Sequence, residues 1–288
     1  MTDDTKVTPL KGAGEEADAT PVDSVESAES LLIDEHVEEV AENGRRVQHR
    51  GVYLLPNLFT TAALFCGFYA VIAATKGAFE PAAVAIFVAM VLDGLDGRVA
   101  RLTNTQSAFG AEYDSLADMV SFGVAPAVVA YSWALEDLGK LGWVVAFIYV
   151  AGAALRLARF NTQIESADKR FFTGLPSPAA AAVVAGMVWS FSEFGGDSSL
   201  WFSLMAMVVT AAAGVMMVTN IRFHSFKDLD LKGRVPFVFI LLVVLVFAIV
   251  AYDPPRVLWG VFLIYTLSGP VMAVMNLGRG QSREVAED

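Results

Sequence analysis

Eight apolar stretches, at roughly 53–74, 82–101, 114–135, 141–160, 177–194, 200–220, 235–251 and 256–277, restrict this chain to one kind of solvent. Each is about the length a helix needs to cross a hydrocarbon layer of roughly 30 Å. Inside such a layer every backbone N–H and C=O has to be satisfied within its own segment, which favours helices. The pattern predicts an all-α polytopic transmembrane helical bundle of eight helices. A hydrophobic content of 55% and a mean hydropathy of +0.53 over 288 residues agree, and exclude an ordinary soluble domain.

The connections alternate in character. "TKGAFEP", "EDLGK", "FGGDSS" and "YDPPR" are short and carry breakers or few charges, whereas the links on the other side are longer and basic. The latter side holds Arg45, Arg46, Arg50, Arg98, Arg101, Arg156, Arg159, Lys169, Arg170, Arg222, Lys227, Lys232, Arg234, Arg279 and Arg283. The former holds only Lys76, Lys140 and Arg256. Basic residues accumulate in cytoplasmic loops, so both termini are expected on the cytoplasmic face of the membrane. No internal repeat of the inverted-repeat transporter kind is present.

The formal charge of −11 is local. Residues 1–44 hold 13 Asp and Glu against Lys6 and Lys11, while residues 45–288 hold 18 charges of each sign. With few apolar positions, residues 1–44 read as a disordered acidic cytoplasmic tail, with 31–44 able to form a short acidic helix. No basic stretch followed by a short apolar core marks a cleaved signal peptide. Cys66, the one cysteine, excludes an internal disulfide and reads as a small buried hydrophobe.

Against this background "LDGLDGRVARLTNTQSAFGAEYDSLAD", Leu92 to Asp118, is anomalous. Charges at bilayer depth are costly and face a cavity or pathway rather than lipid. Asp93 and Asp96 are i, i+3 neighbours on the second helix, and Asp114 and Asp118 are i, i+4 neighbours on the third, so each pair shares a face. Asp93 lies about 12 Å along its helix from Arg101, slightly inside the cytoplasmic boundary. Four converging carboxylates would repel and take up protons unless cations hold them ionised. All-oxygen ligands with no His or Cys nearby suit Mg2+, Mn2+ or Ca2+, and a pair of such ions can clamp a phosphate. Gly97, Ala100 and Gly110 are small enough for close approach, and Arg101 can meet a phosphate oxygen. The alternatives are acids that glue helices together, or a cation transporter with an aspartate relay, which would move ions without releasing a nucleotide.

The spacing Asp96-Gly97-x2-Ala100-Arg101-x8-Gly110-x3-Asp114-x3-Asp118, with Asp93 three residues ahead, resembles the motif of the CDP-alcohol phosphatidyltransferases at every position. The resemblance implies a six-helix transmembrane core, here followed by two C-terminal helices. It also implies two divalent metal ions (Mg2+ or Mn2+) on Asp93, Asp96, Asp114 and Asp118, with Asp118 doubling as the base. The reaction implied is transfer of a phosphatidyl group from a CDP-linked lipid to an alcohol with release of CMP. On this division, 1–44 is the tail, 45–234 the catalytic membrane domain, and 235–288 the additional helices with a short cytoplasmic C-terminus.

"LLPNLFTTAALFCGF", "FFTGLPSPAAA" and "FHSFKDLDLKGRVPF" resemble bacterial phosphatidylserine synthases within that family. The expected substrates are therefore CDP-diacylglycerol and L-serine in a lipid membrane, with no nucleic acid and a homodimeric assembly. Glycerol 3-phosphate or an inositol phosphate are the alternative acceptors, although a phosphorylated acceptor would want more converging cations. Cytidine and diphosphate contacts are expected from Gly97, Ala100, Arg101 and Gly110, with Asn57 and Thr60 as hydrogen-bonding partners or as ordinary interhelical glue. Arg156 and Arg159, one turn apart, and Asn161 suit the serine carboxylate or the lipid diphosphate; juxtamembrane contact with anionic lipid is the plainer use. In "TGLPSP" the prolines impose an irregular helix entry that frees the Thr173 and Ser177 hydroxyls. "SFKDLDLKGR" reads as a solvated link, and His224 as an interface residue. Direct transfer and a phosphatidyl-enzyme intermediate both remain open.

Overall fold

The computed structural model describes residues 39–42, 45–48, 54–103, 107–163, 171–192, 200–224 and 237–284. The expected disorder of 1–38, Lys169 and Arg170, the link at 225–236 and the side chain of His224 lie outside that set. Two units separate, Met1–Gly51 and Val52–Asp288.

In the first unit β1 (Glu39–Glu42) pairs antiparallel with β2 (Arg45–Gln48), in a register running from Glu39 opposite Gln48 to Glu42 opposite Arg45. At Glu39–Glu42 a strand replaces part of the acidic helix expected over 31–44, whose residues 31–38 lie outside the described set. In the sequence the two strands are separated by Asn-Gly, the strongest short-range hairpin signal.

The second unit carries eight helices among the described residues. They are α1 (Leu54–Thr75), α2 (Phe79–Thr103), α3 (108–138), α4 (Lys140–Gln163), α5 (Ser177–Phe191), α6 (Leu200–Val218), α7 (Phe237–Tyr252) and α8 (Pro254–Glu284). Two three-residue strands, β3 (Phe171–Thr173) and β4 (Arg222–His224), pair antiparallel beside the α5 entry. Five helices contain segments long and apolar enough to span a membrane by themselves: Pro56–Thr75, Phe109–Leu138, Lys140–Thr162, Leu200–Val218 and Pro254–Met275. α2 has the length but carries Asp93, Asp96, Arg98 and Arg101, and α5 and α7, with 15 and 16 residues, are shorter. Leu58, Phe65, Phe68, Trp201, Phe247 and Ile264 are among many large apolar side chains left exposed, as suits a lipid-facing surface. The chain is a multi-pass membrane protein.

Small residues set how closely the helices approach. A tight turn with Gly77 at φ 74° folds α2 back on α1. There Ala63, Ala70, Ala73 and Ala74 bury against a core that includes Ala82, Ala83, Ile86 and Ala89. Among lipid tails, close van der Waals packing of this kind takes the place of a hydrophobic driving force. α4 crosses α6 at Gly152 and Gly214: a Cβ on Gly152 would run into the Gly214 carbonyl, and one on Gly214 into the Tyr149 backbone at 2.8 Å. Gly152→Val should therefore destabilise the fold by about 1–3 kcal/mol and lower the Tm of the detergent-solubilised protein. Gly260→Ala, where a Cβ meets nothing within 4 Å, should not. Equal Tm values for the two variants would refute the close crossing.

α3 is not a uniform helix. It runs as Ala108–Asp118, a π turn at Met119–Val124, an α segment at Ala125–Ala130, a second π turn at Tyr131–Leu135 and a 3-10 turn at Glu136–Leu138. Pro126 gives a reason for the first widening. In an α-helix its ring would press on the Phe122 carbonyl while offering it no N–H. That carbonyl instead accepts the Tyr149 hydroxyl at 3.0 Å, and both Phe122 and Tyr149 are fully buried. Ser121 adds a second tie, donating to the Ala63 carbonyl of α1 at 3.0 Å.

Candidate functional site

Ser107 caps α3, its Oγ accepting the Gly110 N–H at 2.9 Å, and this fixes where the helix starts and so which way its acids face. Asp114 and Asp118 then lie on one side of the last α-helical turns before the π turn, and Asp93 comes to meet them from α2. Carboxylate oxygens of Asp93, Asp114 and Asp118 all lie within 4.8 Å of one another. Metal–oxygen distances for hard cations are about 2.0–2.6 Å, so oxygens on opposite sides of one ion sit about that far apart. Three anionic groups of this chemistry, half-buried and this close, fit a divalent cation.

Asp96, the fourth acid of the motif, stands apart from that trio. It is 5% exposed, and its Oδ2 accepts the Thr60 hydroxyl of α1 at 2.8 Å. Thr60 Oγ1 is also 3.2 Å from the Pro56 carbonyl of its own helix. Thr60 thus makes the interhelical hydrogen bond that was the plainer of its two readings, and binds α1 to α2 at the level of the site.

The remaining motif positions form an open rim. A Cβ on Gly97 would meet no atom within 4 Å, so the α2 backbone is approachable there. The Arg101 Nε–H donates to the Gly97 carbonyl at 2.8 Å, laying the exposed guanidinium back along α2. Ala100 is half-buried between them. Gly110 faces Asn57, since a Cβ there would lie 3.5 Å from Asn57 Oδ1 and 3.1 Å from Ser107 Oγ. Thr61 and Tyr113, which sequence reasoning passed over, share a hydrogen bond at 2.9 Å that joins α1 to α3 beside this rim. Tyr113 also stacks on Phe109, with ring centroids 5.9 Å apart. The place of Tyr113 on the same α3 stretch as Gly110 was the available signal.

The two arginines of α4 take different paths. Arg156 reaches the first turn of α5 and donates to the buried Ser177 hydroxyl at 2.5 Å. It also lies within electrostatic range of Asp118 and Asp93. Arg159 turns to the end of α6, where it donates to the Val218 carbonyl at 2.8 Å and contacts Asn220 Oδ1 at 3.3 Å. It satisfies a helix C-terminus. Asn161 pairs with Ser115 of α3, its Nδ2 donating at 3.1 Å, one residue from Asp114. Thr173 is exposed at the end of β3, opposite Arg222. The "TGLPSP" entry is anchored from below: the Gly174 N–H donates to the Ile221 carbonyl at 2.9 Å and the Leu175 N–H to the Met216 carbonyl at 3.0 Å. Gly174 has φ 82°, and any Cβ there would strike the Met217 carbonyl, so glycine is required.

The result is a cluster of three carboxylates on α2 and α3, an approachable glycine on α2, and, on the neighbouring α4 and α5, the half-buried Arg156 bonded to Ser177. Such a place can hold a charged phosphate ester through cations and present a carboxylate base to it.

Comparison with known proteins points the same way. Residues 53–219 match the family model described as CDP-alcohol phosphatidyltransferase. A Helicobacter pylori protein named CDP-diacylglycerol--serine O-phosphatidyltransferase is 38% identical over 218 residues, 74% of this chain and 90% of the relative. A protein of the same name from Mycobacterium tuberculosis is 32% identical over 254 residues, covering 85% of this chain and 87% of the relative. Another from Bacillus subtilis is 33% identical over 173 residues, covering 60% and 91%.

Proposed function

The chain belongs to the CDP-alcohol phosphatidyltransferase family, and from that premise we propose that it transfers the phosphatidyl group of CDP-diacylglycerol to L-serine, releasing CMP. The observation that carries the chemistry is the convergence of Asp93, Asp114 and Asp118 within 4.8 Å at the motif's own positions. The relatives' shared name supports serine as the acceptor.

Asp93, Asp114 and Asp118, with Asp96 as fourth carboxylate, would hold two divalent cations, Mg2+ or Mn2+. When bound, these supply positive charge to the lipid diphosphate and to the departing phosphate of CMP. The serine hydroxyl attacks the phosphorus that carries diacylglycerol. As the new P–O bond forms, the bond from that phosphorus to the bridging oxygen breaks, the electron pair leaves with CMP, and Asp118 takes the hydroxyl proton. Gly97, Ala100, Arg101, Gly110, Asn57 and Thr60 form the wall for the cytidine and diphosphate. Arg156 faces the acceptor carboxylate, with Ser177, Asn161 and Thr173 around it; Arg159 serves that pocket by holding the end of α6. The lipid enters sideways from the cytoplasmic leaflet, on the side where basic residues gather.

The test is direct. Purified protein given CDP-diacylglycerol, labelled serine and Mg2+ or Mn2+ should form labelled lipid and CMP in equal amounts, and a chelator should stop both. CMP release driven by glycerol 3-phosphate but not by serine would reassign the acceptor. Ion flux with no CMP release would overturn the reaction class.

A further inference from the structure

The acids of α3 stop where its regular winding stops. Asp118 is the last residue of the α segment Ala108–Asp118, and the π turn at Met119–Val124 follows it directly. That turn is packed closely from two sides. Toward α1, a Cβ on Gly67 would lie 2.5 Å from Ser121 Oγ, and the Ser121 hydroxyl donates to the Ala63 carbonyl at 3.0 Å. Toward α4, a Cβ on Gly123 would come within 3.2 Å of Ala153 Cβ, and the Tyr149 hydroxyl donates to the Phe122 carbonyl at 3.0 Å. Tyr149 is itself fixed: it is fully buried, and its backbone lies against Gly214 of α6.

The turn closes with the Ala125 N–H on the Val120 carbonyl, five residues back rather than four. Pro126 has no N–H to offer the Phe122 carbonyl, and the core of a membrane holds no water to take its place. Tyr149 meets that need from a neighbouring helix. A donor arriving from the side favours a carbonyl tilted out of its helix, as at other points where a side chain enters the ladder of backbone bonds. We propose that Tyr149 is a positioning residue for the cation site: its hydroxyl on the Phe122 carbonyl keeps the π turn open, and the open turn holds Asp118, and Asp114 one turn before it, against Asp93. The inference rests on the function proposed above, in which those three acids hold divalent cations. Tyr149 acts through the backbone and touches neither cation nor substrate.

Tyr149→Phe removes the hydroxyl and keeps the ring. With no substrate present, the Kd of the purified protein for Mn2+, read from the EPR signal of the free ion, should rise about 10-fold or more. Serine KM at saturating Mn2+ should stay within about twofold, because the turn orients the acids and not the acceptor. Pro126→Ala gives residue 126 an N–H, lets the Phe122 carbonyl close an ordinary helical bond, and should weaken Mn2+ binding in the same direction with Tyr149 intact. The two effects should not add, since both act through one carbonyl. An unchanged Mn2+ Kd in Tyr149→Phe, even with a lowered Tm, would overturn the assignment by showing a purely structural tie, and so would fully additive effects. If Tyr149→Phe does not fold in detergent, Pro126→Ala decides, and an unchanged Mn2+ Kd there overturns the proposal. A parent protein that binds no Mn2+ and releases no CMP with serine would overturn the proposed function and this inference with it; a parent that binds Mn2+, with both variants unaffected, overturns this inference alone.

Discussion

Asp114→Asn should lower turnover on the order of 10³-fold or more. The amide keeps the size and shape of the carboxylate, so helix packing around α3 should survive. It cannot supply an anionic oxygen, however, and the trio held within 4.8 Å loses one of its three charges. Two consequences follow together: the residual activity should require a higher concentration of divalent cation, and the preferred cation should change. CMP release measured across Mg2+ and Mn2+ titrations, with Tm as the control for folding, separates this from simple destabilisation. Near-parental turnover with an unchanged cation optimum would mean that the carboxylate cluster is not the reaction centre.

Arg156→Ala should raise serine KM about 10- to 100-fold, taking a charge-assisted hydrogen bond at about 1.5–3 kcal/mol and about 1.4 kcal/mol per tenfold. Ethanolamine keeps the hydroxyl and amine but has no carboxylate. The parent should use it poorly, and the variant should discriminate against it less. Arg159→Ala is the informative companion. Its guanidinium is committed to Val218 and Asn220, so its loss should appear in Tm rather than in serine preference. If instead the defect in Arg156→Ala falls on CDP-diacylglycerol KM or on kcat, the guanidinium serves the lipid diphosphate. If neither variant touches serine kinetics, the acceptor pocket lies away from the α4–α5 junction.

Three of the four aspartates were legible as a cluster because helix geometry is nearly invariant and the i, i+4 spacing puts Asp114 and Asp118 on one face toward Asp93; Asp96, expected with them, turns to Thr60 of α1 instead. Arg156 and Arg159 show where that reasoning stops. Both sit on one turn, but a long flexible side chain can reach either of two neighbouring helices, and which it chooses depends on the position of α6, which local spacing does not encode. The π turns of α3 likewise escape an apolar pattern, since widening a turn leaves hydrophobicity unchanged; Pro126 was the one visible cause. At the paired strands 39–42 and 45–48 the reverse holds: the sequence carries a local hairpin signal, Asn43-Gly44, which outweighs the acidic composition around it.

The π turn directly after Asp118 makes α3 a helix with two angular settings. Each residue advances an α-helix by about 100°, and a π turn takes up one residue more than an α turn needs. The segment bearing Asp114 and Asp118 is therefore indexed independently of the segment that buries Ala127, Val129 and Ala130. An unbroken α-helix through 119–124 would have to choose between aiming its acids at Asp93 and seating its apolar side in the bundle. The widened turn works like a coupling between two shafts, letting the acid-bearing end be clocked to its partner while the anchored end stays in phase with the membrane-embedded core.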